Sequence, residues 1–168
     1  MSPQSVQSSL NVPSKPTKQG PQKLFCGHCG KSPEDGTDGE AVSRVCSSCV
    51  MGLILQAPAD SAPSADDPFL VVDGSLTICA LSRVAEKLLG VSETDAVNRH
   101  VTEFLVPADA EAPTSENLGA LVASAARGDA PSSSVVVRPA NTYGVRYWAR
   151  VGPCGPPTAA LLVLADAR

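Results

Sequence analysis

Aromatic side chains are scarce in this sequence, with three Phe, two Tyr and one Trp in 168 residues, so its core must be built mainly from Val, Leu, Ala and Ile. Histidine is scarcer still, at two. No nucleophile motif, phosphate-cradling glycine loop or framed pair of carboxylates accompanies those histidines, so the expectation is a protein that is not an enzyme. No apolar run approaches the length needed to span a bilayer, and Met1 to Gly20 lacks the apolar core of an export signal. Positive charge is not in excess either: the net charge is −4, which removes the simplest argument for a nucleic-acid binder.

What the sequence does have is cysteine in an ordered pattern. Cys26-Gly-His-Cys29 is followed, sixteen residues on, by Cys46-Ser-Ser-Cys49. Each short pair turns two thiolates toward one point, and the intervening loop brings the second pair across to complete a tetrahedron. Cys26, Cys29, Cys46 and Cys49 are therefore the predicted ligands of one zinc ion, which accepts four sulfurs at about 2.3 Å. With all four positions filled by protein, the site is structural rather than catalytic. Iron in a rubredoxin-like site uses the same ligands, and His28, between two better ligands, is expected to be exposed. A metal-thiolate site and no visible export signal point to the reducing cytoplasm.

The chain divides by composition into four stretches. Residues 1–21, rich in Ser, Pro and Gln, form an arm with too little apolar surface to fold. Residues 22–57 form the zinc module. Its positive residues, Lys23, Lys31 and Arg44, are outnumbered by Glu34, Asp35, Asp38 and Glu40, which disfavours a grip on DNA phosphates. Val50, Leu53, Ile54 and Ala57 fall at helical spacing, predicting a helix that starts at Cys46 and Cys49 and docks its greasy stripe on the larger domain or on a partner chain. A knuckle, a hairpin and a ligand pair opening a helix resembles the treble-clef class of zinc modules; zinc ribbons share the cysteine spacing. Residues 58–67 alternate Ala, Pro and Asp and read as an extended linker.

Residues 68–168 form the second unit. Two strands meet at the turn Asp73-Gly74. A helix runs from the cap Ser82 to a stop at Gly90. A capping box begins at Ser92, a longer helix is capped by Thr114 or Ser115 and stopped by Gly128, and three strands close the chain over 133–138, 145–151 and 158–165. Phe69-Leu-Val-Val-Asp-Gly, Ala80-Leu-Ser-Arg-Val-Ala-Glu-Lys-Leu-Leu-Gly-Val and Val101-Thr-Glu-Phe-Leu-Val-Pro-Ala-Asp carry a resemblance to PAS domains. Asn98 stands where that family often has glycine. The resemblance implies an α+β fold: a five-stranded antiparallel sheet with helices on one face, enclosing a ligand cavity or a packed core. It does not bring a cofactor with it. The segment Arg99-His-Val-Thr lacks the cysteine of flavin-binding members, and His100, in a polar turn, is a poor axial ligand for haem.

Two thiols remain. Cys79 is expected to be a buried small apolar residue, and Cys154, between proline and glycine, the more accessible redox thiol. The last strand, Ala159-Ala-Leu-Leu-Val-Leu-Ala165, is apolar without alternation, so both its faces should be covered. Val50, Leu53 and Ile54, with Trp148 on a neighbouring strand, are the candidate interface. The functional expectation is a cytoplasmic sensory or regulatory protein that works through a ligand in its PAS-like cavity, through homodimerisation, or through a signalling partner. The alternatives are a transcription regulator holding DNA by its zinc module, and a ligand-free scaffold.

Overall fold

The computed structural model describes residues 20–33, 43–108, 117–129 and 131–166. The predicted N-terminal arm lies outside these except for its last two residues, as do most of the loop between the cysteine pairs and the predicted caps Thr114 and Ser115.

Strands β1 (Gln22–Cys26) and β2 (Ile54–Pro58) form an antiparallel hairpin, with Phe25 opposite Leu55 and Cys26 opposite Ile54. This corrects the helix expected over Val50 to Ala57. The second cysteine pair needs residues as far as Gly52 to complete its turn, where the Cys46 amide donates to the Gly52 carbonyl at 2.8 Å. Only a short apolar run is left, and period alone does not separate a short strand from a helix. Two knuckles joined to a hairpin give the ribbon-like module rather than the treble-clef-like one.

The remaining strands are β3 (Phe69–Val72), β4 (Ile78–Leu81), β5 (Leu105–Pro107), β6 (Ser133–Pro139), β7 (Tyr147–Cys154) and β8 (Ala159–Asp166). They form one antiparallel sheet in the order β4-β3-β8-β7-β6-β5. The five predicted strands are all present, and three-residue β5 adds a sixth at the edge. Between β4 and β6 come α1 (Arg83–Leu89), α2 (Glu93–Ala96), a 3₁₀ turn (Val101–Glu103) and α3 (Leu118–Arg127). The arrangement is PAS-like, as the resemblance implies.

Local chemistry explains the helix boundaries. The Ser82 side chain accepts from the Ala85 amide, and Gly90 ends α1 with φ +66°. Ser92 caps α2 through the Asp95 amide, Asn117 caps α3, and Gly128 closes it with φ +74°; glycine takes that left-handed conformation without steric cost. Asn98 holds φ +68°, so asparagine supplies the left-handed corner that the family often gives to glycine. His100 is exposed and caps the 3₁₀ turn.

The inner face of the sheet packs on the helices through Leu70, Val72, Leu81, Val122, Leu162 and Leu164, among others. A second cluster forms on the opposite face. There Phe25, Leu55 and Ala57 of the hairpin bury Phe69, Val71, Leu161 and Val163. The Phe25 and Phe69 rings meet edge to face, 5.7 Å apart at 89°, a favoured aromatic geometry. Both faces of β8 are thus covered, as its unbroken apolarity requires, and the outer cover is a strand pair of the same chain. The segment after β2 is not an extended spacer. Ser61 and Ala62 turn back onto the Pro58 carbonyl, and Ser61 is buried against Gly152, where any side chain would crowd it.

Candidate metal centre

The four predicted ligands converge. The sulfurs of Cys26, Cys29, Cys46 and Cys49 all lie within 4.8 Å of one another. Cys26 and Cys49 are 3.6 Å apart, and Cys29 and Cys46 are 3.8 Å apart. A disulfide needs sulfurs at about 2.05 Å. Two bonds of about 2.3 Å meeting at the tetrahedral angle put their sulfurs roughly 3.8 Å apart, so the donor set fits a single four-coordinate ion.

The two knuckles have the same construction. In the first, the Cys26 amide donates to the Lys31 carbonyl and the Gly30 amide to the Cys26 carbonyl, both at 2.9 Å. In the second, the Cys46 amide donates to Gly52 and the Val50 amide to Cys46, at 2.8 and 2.9 Å. The residue after each second cysteine is left-handed, Gly30 at φ +72° and Val50 at φ +58°. Backbone amides also point at sulfur: His28 and Cys29 toward Cys26 at 3.4 and 3.5 Å, and Gly52 toward Cys49 at 3.4 Å. Such donors stabilise thiolates.

The thiols titrate unequally in the metal-free site. Burial pushes Cys26 up to about 12, and burial also raises Cys29. At Cys49 burial acts in the same direction, but hydrogen bonds from the Gly52 and Met51 amides and from the Cys26 and Cys46 thiols outweigh it, lowering its pKa to about 6. At pH 7 Cys49 is therefore mostly thiolate while Cys26 and Cys29 carry protons. Metal binding must expel those protons, so affinity should fall as pH falls. Titration calorimetry in buffers of different ionisation enthalpy should show the binding heat moving with the buffer; a buffer-independent heat would mean the thiols were already ionised.

His28, expected to be exposed, is buried and joins the module to the PAS-like unit. Its Nε2 accepts from Arg83 Nε at 3.1 Å, which places the ring proton on Nδ1, 2.8 Å from Glu93 Oε2. The other Glu93 oxygen accepts from the Leu81 amide at 3.1 Å, and the Arg83 amide donates to the His28 carbonyl. Glu93→Ala leaves Leu81 N–H and His28 Nδ1–H without their acceptor, at a cost of about 2 kcal/mol. Chemical denaturation should show that loss, with a smaller one for Glu93→Gln, whose amide oxygen can still accept.

The two remaining thiols exchange their expected places. Cys154 is buried under the hairpin, and burial pushes its pKa to about 12; a protonated, covered thiol is a poor redox sensor. Cys79 is the exposed one. The register of β3 against β4 passes from Val71–Ala80 to Val72–Ile78, so Cys79 is the extra residue of a bulge and turns outward. Although it is exposed, partial desolvation against the sheet edge and, after that, the Asp73 charge raise its pKa.

The candidate interface residues separate as well. Val50 and Leu53 are exposed, whereas Ile54 packs against Cys26 and Cys46 as part of the metal-site core. Trp148 lies on the outer face of the sheet, half-exposed between Val136 and Ala165. A groove of about 770 Å³ lies where the hairpin, the β7–β8 end of the sheet and the C-terminal end of α3 meet, lined by Gln22, Gln56, Arg127 and Cys154 among others. No helix among the described residues is long and apolar enough to cross a membrane.

No family model matches the chain, and no curated protein matches it. Solved structures similar to it include the PAS domain of nitrogen regulation protein NR(II) from Vibrio parahaemolyticus, at 15% identity and a TM-score of 0.43 over 60% of this chain and 88% of that one. A PAS domain from Colwellia psychrerythraea is similar at 21% identity and a TM-score of 0.44, over 60% of this chain and 85% of that one. One from Desulfitobacterium hafniense aligns at 13% identity and a TM-score of 0.43, over 60% and 92%. The sheet order and helix placement described above stand independently of these likenesses.

Proposed function

We propose that this chain is a cytoplasmic, non-enzymatic sensory or regulatory protein in which a structural zinc ion holds a hairpin over the outer face of a PAS-like sheet. The observation carrying this reading is the shared cluster of Phe25, Leu55 and Ala57 with Phe69, Val71, Leu161 and Val163. Because the cover and the covered strand pack as one body, a change at the metal or in the PAS-like unit alters the same surface. Output then comes through contact with a second copy or with a signalling protein.

Four sulfurs suit zinc and iron alike, and the reading takes zinc as the ion of a purely structural, fully protein-ligated site. The close packing of aliphatic side chains between sheet and helices favours action through the surface over a large bound cofactor such as haem or flavin. Native mass spectrometry of the purified chain tests the reading in one experiment. The expected result is one zinc per chain. A metal-free chain, a mass corresponding to two disulfides within the cysteine set, or a retained haem or flavin would contradict it.

A further inference from the structure

His28 stands between the two ligands of the first knuckle, and every hydrogen-bonding group it has is in use. Its amide points at the Cys26 sulfur, 3.4 Å away. Its carbonyl accepts from the Arg83 amide at 3.1 Å, and its ring is held by the Arg83 and Glu93 side chains. One residue therefore touches a metal ligand on one side and both short helices on the other. Glu93 extends the connection. Its second oxygen accepts from the amide of Leu81 at the end of β4, and its own amide donates to Glu86 Oε1 of α1 at 2.6 Å.

The helices reached by these bonds are the weakly buried ones. α1 has one buried residue, Ala85, and α2 has one, Ala96, whereas α3 buries Leu118, Val122, Ala125 and Ala126. Leu88, Leu89 and Val91 pack on the core only in part. Segments with few buried contacts open at low free energy, so the bonds to His28 are a large share of what fixes α1 and α2 against the end of β4. In the other direction, a displacement of α2 would pull the His28 ring, and with it the amide that faces Cys26 Sγ.

We infer that metal occupancy and the placement of α1 and α2 are coupled through His28 and Glu93. The ion fixes the knuckle, the knuckle fixes the two helices, and a change that displaces α2 lowers the affinity for the ion. This route is separate from the packing of Phe25, Leu55 and Ala57 on the outer face of the sheet, and it reaches the helix-bearing side instead. Coupling between two sites is reciprocal in free energy, so each direction has its own measurement. The coupling rests on the metal reading above, and requires one ion held by the four sulfurs.

The test uses the full chain at fixed pH, loaded with zinc or stripped by a chelator. In the wild type, stripping should cut the hydrogen-exchange protection of the Glu86, Val91, Ala96 and Val97 amides by about tenfold, while the Leu121 amide of α3 keeps its protection. Zinc affinity is read by competition with a chromophoric chelator. His28→Ala and Glu93→Ala should each weaken it by about tenfold, as loss of an outer hydrogen-bond partner of a metal site does. Both act through one connection, so the double variant should bind no more weakly than either single one. Glu93→Gln should lose less than Glu93→Ala, since its amide oxygen still accepts. Val122→Ala, which thins the core under α3, should change zinc affinity by less than about twofold. In His28→Ala, stripping should move the α1 and α2 amides by less than about twofold, because the connection is already cut.

Unchanged exchange in α1 and α2 on stripping would overturn the coupling and leave the metal reading in place. So would losses that add in the double variant, or a loss in Val122→Ala equal to that in Glu93→Ala. A chain that took up neither zinc nor iron would overturn both.

Discussion

Removing the metal with a chelator is expected to unfold the hairpin and both knuckles and to uncover the outer face of the PAS-like sheet. Structural zinc in modules of this size is worth on the order of 10 kcal/mol. The module's own buried cluster is small, Ile54 with Cys26 and Cys46, and an isolated two-stranded hairpin is marginal in water, so the packing of Phe25, Leu55 and Ala57 on the sheet depends on the ion to keep the hairpin in shape. Loss of the ion would leave Phe69, Val71, Leu161 and Val163, all buried in the intact chain, without Phe25 and Leu55 above them. A dye that binds exposed apolar surface should brighten on chelation and dim when zinc is restored. Phe25→Ala should mimic part of this with the metal still bound, at a cost of about 3–5 kcal/mol for a fully buried phenylalanine. Unchanged dye fluorescence on chelation would mean that packing alone holds the hairpin.

Gly52→Ala is expected to abolish metal binding. A Cβ at Gly52 would collide with Cys26 Sγ and would sit 2.8 Å from His28 Cβ and 2.9 Å from the His28 amide nitrogen. None of these can retreat cheaply. Cys26 is fully buried and aimed at the ion, and the His28 ring is fixed between Arg83 and Glu93. Forcing a methyl group into such a site costs about 3 kcal/mol or more, and the loss falls on the ligand geometry itself. Gly74→Ala is the control, because its Cβ would meet nothing closer than Ala126 Cβ at 4.0 Å. Metal content by elemental analysis should fall to near zero in the first variant and stay at wild-type level in the second.

Spacing made the metal site readable, because the chemistry of a four-sulfur ion constrains neighbouring residues that a sequence shows directly. Helix ends were readable for the same reason: Ser82, Gly90, Ser92 and Gly128 act on backbone groups within a turn of themselves. The apolar run of β8 announced two covered faces, though it could not say what the outer cover was. Features set by distant partners were not readable. His28 is held by residues 55 and 65 positions away, so nothing beside it marked it as buried. Cys79 is turned outward by a bulge against another strand, and Cys154 is hidden by a hairpin far earlier in the chain. The helix expected over Val50 to Ala57 failed for a related reason. Its first residues belong to the closing turn of a knuckle, and its last ones pair with Gln22–Cys26, so their helical spacing was coincidental.

Hydrogen–deuterium exchange on the metal-loaded and chelated protein tests most directly whether the ion is what holds the hairpin to the sheet. Amides of Cys26, Gly27, Cys46 and Ile54, each bonded to a backbone carbonyl of the module, should lose protection on chelation, together with the β1–β2 pairs, while α3 and the β6–β7 pairs keep theirs. Equal protection in the two forms, or loss spread evenly over the whole chain, would contradict a metal-dependent cover on an independently stable PAS-like sheet.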